Sequence, residues 1–103
     1  MNYQNEDDHL LEISKVVMTT LNEHFRSVKV IDVKTSVEKD SEGDSLLRIA
    51  VIFEGEPRDI DAKEFSGAVR FVRPKLSDIA ENRFPLFSFI SKREIGDKSL
   101  GTA

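Results

Sequence analysis

The eight residues Leu46-Leu47-Arg48-Ile49-Ala50-Val51-Ile52-Phe53 constrain the fold more than any other stretch of this chain. Successive side chains of a β-strand point to opposite faces of a sheet. Leu47, Ile49, Val51 and Phe53 therefore share one face; Leu46, Ala50 and Ile52 share the other, with Arg48 as the exception. A strand that is apolar on both sides belongs in the middle of a sheet, or needs a partner on its second face. The 103 residues leave room for one domain and one small core around it.

Neighbouring segments supply what such a strand needs. Upstream, Val28–Glu38 alternates cleanly from Ile31 to Val37, but Val30-Ile31 breaks phase, which predicts a bulge or a late start. Lys39-Asp40-Ser41-Glu42-Gly43-Asp44-Ser45 joins the two strands with turn residues and predicts an antiparallel hairpin. Before them, Leu10, Ile13, Val17, Leu21 and Phe25 recur every three or four residues and predict an amphipathic helix from about Asp8 to Arg26, with Asp7 or Asp8 as its cap. Its β-branched residues Val16, Val17, Thr19 and Thr20 weaken its intrinsic propensity, so packing must hold it.

Downstream, Asp61 caps a second helix, with Glu64 at capping-box spacing. Phe65, Ala68, Val69, Val72, Leu76 and Ile79 make its apolar stripe, which runs through Pro74. Proline inside a helix removes a hydrogen bond to the preceding turn and crowds it. The segment is therefore one kinked helix or two short ones, the second starting at Pro74, and ends at Asn82-Arg83. Pro85 sets Phe84 extended, and Leu86–Ser91 reads as an aromatic strand. The expected fold is α+β, in the order α-β-β-α(kink)α-β: a three-stranded sheet with helices on one face. Residues 8–92 form the domain, between a flexible N-terminus (1–7) and a polar, flexible tail (93–103). Strand order is open, except that a parallel crossover from the second strand to the third should be right-handed.

Composition narrows the function. Charged residues make up 33% of the chain and the net charge is −4, which argues against duplex DNA or an anionic membrane as a partner held by bulk electrostatics. The absence of cysteine excludes disulfides and thiolate metal sites and fits a reducing compartment. No apolar run approaches the roughly 18 residues of a membrane span. Met1–Asp8 is polar and acidic, unlike a signal peptide. The reading is a cytoplasmic protein without a cofactor or a membrane.

Three sets of residues invite chemistry. Asp40, Glu42 and Asp44 could offer oxygens to calcium, but glycine comes fourth rather than sixth and no glutamate stands twelfth, so they read as a solvated turn. Asp59 and Asp61 could hold magnesium for phosphoryl transfer; no phosphate loop precedes them, and Asp61 already serves as a cap. His9 and His24 lack a third ligand, and no nucleophile elbow or cysteine nucleophile is present. The expectation is therefore no enzyme, no metal site and no catalytic residue.

The basic residues carry the strongest signal. Eight of the 15 Lys and Arg lie between Arg58 and Arg93. Arg70 and Arg73 share a helix face, Lys75 is close by, and together they could form a phosphate-binding patch; the alternative is an ordinary solvated face. Phe71 points roughly 120° away from the middle of the stripe. Either a kink turns it inward or it is an exposed anchor beside Arg70. Arg70, Phe71, Arg73 and Lys75 are the candidate binding residues.

Two resemblances follow. The order α-β-β-α-kink-α-β over about residues 8–91, with Ser66-Gly67-Ala68-Val69-Arg70 and the proline-led strand from Phe84, resembles ribosome-binding factor A, a bacterial family with a KH-like fold of the second type. That resemblance implies RNA or ribosome binding. KH modules clamp nucleotides with a Gly-x-x-Gly loop between two helices, where this chain has Val72-Arg73-Pro74-Lys75. Arg73–Leu76 and Phe84-Pro85-Leu86-Phe87-Ser88-Phe89-Ile90-Ser91-Lys92 are also similar to a family of short bacterial proteins associated with HEPN-domain neighbours. That similarity implies a protein partner, with the chain acting as the small, antitoxin-like member of a pair; an acidic chain suits a basic target. The expected function is a non-catalytic interaction module with a protein partner; the alternative is a KH-like RNA- or ribosome-binding factor.

Overall fold

The computed structural model describes residues 6–94, apart from the side chains of Pro57 and Phe65. Helix α1 (Glu6–His24) leads into strand β1 (Lys29–Lys39), a hairpin, strand β2 (Ser45–Glu54), a 3-10 turn at Pro57–Asp59, helix α2 (Ala62–Asp78) and strand β3 (Phe84–Ser91). The sheet order is β1-β2-β3, so β2 is central. β1 pairs with β2 antiparallel, and β3 pairs with β2 parallel across the α2 crossover. The fold is α+β with both helices on one face. None of the described helices is long and apolar enough to cross a membrane.

The phase break in β1 is a bulge. The register shifts between Val30, opposite Phe53, and Asp32, opposite Ile52. This puts both Val30 and Val33 on the helix-covered face, which strict alternation forbids. The backbone N–H and C=O of Val30 are taken up by the side chain of Asn22, at 2.9 Å each, which pins α1 to β1. The core joins Ile13, Val17 and Leu21 of α1, Ala68, Val72 and Leu76 of α2, and Leu47, Ile49, Val51 and Phe53 of β2, all at most 1% exposed. Phe87 and Phe89 of β3 pack against its edge, partly buried, with centroids 5.9 Å apart.

The hairpin closes as turn chemistry dictates. Asp40 accepts from the amides of Glu42 and Asp44, both at 2.9 Å, and Gly43 takes a φ of 86°, which glycine adopts without strain. Asp7 and Asp8 lie inside the first turn of α1 rather than at a cap, where their charge still suits the positive end of the helix. Asp61 caps α2 by accepting from the amide of Lys63 at 2.7 Å. Glu64 reaches across to the α1–β1 connection, accepting from the Arg26 amide at 2.7 Å and from the Ser27 hydroxyl. Burial pushes its pKa up, but these hydrogen bonds outweigh that and hold it below the ordinary carboxylate value.

The proline segment forms a single helix: α2 continues through Pro74, so the two-helix alternative does not occur. Packing of Val72 and Leu76 on either side of the proline holds the helix together where one hydrogen bond is lost. The helix ends at Asp78, four residues before the predicted Asn82-Arg83 stop. Ala80 takes a φ of 61°, the Glu81 amide donates to Leu76 and the Ala80 amide to Ser77, a Schellman ending without the usual glycine.

The predicted tail begins with structure of its own. Glu94 accepts from the Ser91 amide at 3.1 Å and the Ser91 hydroxyl from the Arg93 amide at 3.2 Å, a capping box that starts helical residues 92–94. The remainder of the tail, and residues 1–5, lie outside the described residues.

Candidate binding site: an arginine cleft at the end of α2

The Schellman ending of α2 folds Glu81 back under the last helical turns, with its side chain 3% exposed. A buried carboxylate is costly unless its oxygens are satisfied. Arg83 satisfies them three times: through its amide at 2.8 Å, its Nε at 2.9 Å and its Nη2 at 2.9 Å. His9 of α1 meets Glu81 Oε1 at 2.9 Å, and Arg83 Nη2 also donates to Glu6 Oε2 at 3.0 Å. Burial pulls the Glu81 pKa upward, but the Arg83 side chain and amide and His9 overcome it and hold the carboxyl at about 2. The same network raises the Arg83 pKa.

Above this network lies a cleft of about 460 Å³, lined by Arg70, Arg73, Pro74, Leu76 and Ser77 of α2 and by Glu81, Asn82 and Arg83 of the following loop. Its two banks differ in charge balance. Arg83 is matched by Glu81 and Glu6. Arg70 and Arg73 form no ion pair with any described residue, and both are exposed. Arg73 lies over the ring of Phe84, 5.4 Å from its centroid, which keeps the guanidinium at the cleft rim. Spaced three residues apart on one helix, the two guanidiniums can converge on one carboxylate or phosphate. Ser77 and Asn82 add neutral polar groups on the same wall.

The four candidate binding residues are not gathered in one place. Arg70 and Arg73 line the cleft. Lys75 points to the other side of α2, into a groove with Lys15, Thr19 and Glu23 of α1. Phe71 stacks on His24, with centroids 3.9 Å apart and planes 5° apart, and its ring also covers Gly67, where a Cβ would come within 3.1 Å. Phe71 therefore lies half-buried against the exposed His24 at the end of α1, outside the core, between the two alternatives of an inward-turned side chain and an exposed anchor. Ser77 and the Glu81–Arg83 pair went unread in the sequence, as did the stacking of His24 on Phe71 and the place of Asn82 in the cleft; Glu81 meets His9 across 72 residues, a distance that no spacing rule covers.

The other candidates have local roles. Asp59 accepts from the Glu56 amide at 2.9 Å and Asp61 caps α2, so each of these carboxylates closes a turn. No cluster of three or more metal-ligating side chains occurs among the described residues. Val72–Lys75, at the place of a KH nucleotide clamp, is helix rather than loop. Comparison of the chain with protein-family models, with curated proteins and with solved structures finds no match.

Proposed function

We propose that this protein is a non-catalytic interaction module that docks an acidic segment of a second protein in the Arg70–Arg73 cleft. The observation that carries this reading is a pair of guanidiniums, without an acid of their own among the described residues, set on a rigid helix beside a neutralised Arg83. Two uncompensated arginines on a fixed scaffold are preorganised for a carboxylate. The cleft's size suits one or two side chains of a partner. A long polyanion is disfavoured by the net charge of −4 and by the unbroken helix at Val72–Lys75.

The test is fluorescence anisotropy with a short Asp/Glu-rich peptide and, in parallel, a single-stranded RNA of similar charge. The expected result is peptide binding that weakens at least tenfold in Arg70→Glu/Arg73→Glu, since each charge-assisted bond contributes about 1.5–3 kcal/mol. Salt-sensitive RNA binding lost in the same variant, with no peptide binding, would replace the protein-partner reading with an RNA-binding one.

A further inference from the structure

The two edges of the sheet are built differently. β1, the edge beside the hairpin, carries Lys29, Asp32, Lys34, Glu38 and Lys39. Charges along an edge strand prevent pairing with another chain. β3, the other edge, is Phe-Pro-Leu-Phe-Ser-Phe-Ile-Ser and has no charged residue. Pro85 blocks one position near its start, which leaves Leu86–Ile90 able to pair. Among the described residues, neither α1 nor α2 packs on its outer face, where Leu86, Ser88 and Ile90 are half-buried beside Leu46, Ala50 and the buried Ile52 of β2.

The sequence of this edge is symmetric about Ser88: Leu-Phe-Ser-Phe-Ile. We infer that β3 pairs antiparallel with β3 of a second copy of this chain, with Ser88 on the two-fold axis, to give a continuous six-stranded sheet. In that register Leu86 faces Ile90 of the other copy on the open side, and Phe87 faces Phe89 on the helix side. Both are apolar cross-strand pairs, and each occurs twice, as an isologous two-fold interface requires. The ring of Phe89 already stacks on Phe25 and Phe87, so the aromatic row is ordered before pairing. Arg83 and Arg93 flank the paired strand, Arg93 in the helical turn that follows it, and each is already balanced within its own chain, Arg83 by Glu81 and Glu6 and Arg93 by Glu56. A symmetric strand with no charge to repel its own image fits a second copy better than an unrelated strand.

Charge substitution on the axis tests this register. Ser88→Glu and Ser88→Lys each place two like charges face to face; mixed together, they place opposite charges there. Sedimentation velocity over a concentration series should show a dimer for the natural chain. Each variant alone should dimerise at least tenfold more weakly, and the equimolar mixture should recover a heterodimer. Far-UV circular dichroism checks that both variants fold, and recovery in the mixture would itself show that both do. A natural chain that is monomeric at all concentrations overturns the inference. So does a dimer that survives Ser88→Glu, or a mixture that does not recover. The outcome is independent of peptide binding at the arginine cleft.

Discussion

The two banks of the cleft hold arginines of opposite circumstance. On one bank Arg83 is enclosed by Glu81, Glu6 and the turn that ends α2. On the other, Arg70 and Arg73 stand on the helix surface with no carboxylate among the described residues to balance them. A guanidinium matched within the fold holds the fold together, and its loss exposes a buried charge. A guanidinium left unmatched does little for the fold and is available to a ligand. Stability and binding should therefore separate across a few ångströms of one cleft.

The largest expected effect breaks the enclosed bank. Glu81→Ala strips the buried partner from Arg83 and from His9, and should lower unfolding stability by about 3 kcal/mol in urea titration. If Glu81→Ala unfolds at the midpoint of the natural chain, the enclosed bank has no structural role. Acid titration addresses the same bank more gently. The Glu81 carboxyl is held at about 2, below its ordinary value of 4.5, so its contribution is present above pH 4.5 and is lost as pH falls toward 2. That contribution is about 3 kcal/mol from the size of the shift. Glu81→Gln should flatten this part of the stability profile while leaving the region above pH 5 parallel to that of the natural chain.

A smaller effect concerns the turn between the banks. Ala80 sits at φ 61°, a left-handed conformation that costs an L-residue with a Cβ about 1 kcal/mol. Ala80→Gly should raise stability by about 0.5–1 kcal/mol, measurable as a shift in urea midpoint with an unchanged slope. A decrease would mean that the turn is not strained. The smallest stability effect belongs to the open bank. Arg70→Glu/Arg73→Glu should move stability by less than about 0.5 kcal/mol, as surface changes do. Loss of folding there would merge the two banks into one structural unit.

Much of the fold was legible because it rests on periodicity. The apolar run Leu46–Phe53 marked the central strand, the phase break at Val30-Ile31 marked the bulge, and Asp61 marked the start of α2. These are local signals, each contained in a few residues. The end of α2 was not legible because Ala80 takes a conformation usually marked by glycine. The Ser91–Glu94 capping box had a readable spacing that the polar composition around it masked. The site divides in the same way. Arg70 and Arg73 are three apart on one helix, so their shared face was foreseeable. Which side Lys75 and Phe71 take depends on where α1 packs, and that is set by the tertiary fold. The acid beneath the cleft depends on residues from both ends of the domain, Glu6 and His9 meeting Glu81 and Arg83.

The most direct test of the division between the banks is an amide chemical-shift titration of the ¹⁵N-labelled chain with the Asp/Glu-rich peptide. The predicted result is saturable shifts at Arg70, Arg73, Ser77 and Asn82, with Val17, Leu21 and Ile49 in the core unmoved. Shifts confined to the groove around Lys75, or no shifts at peptide concentrations that saturate the anisotropy signal, would contradict docking in the arginine cleft.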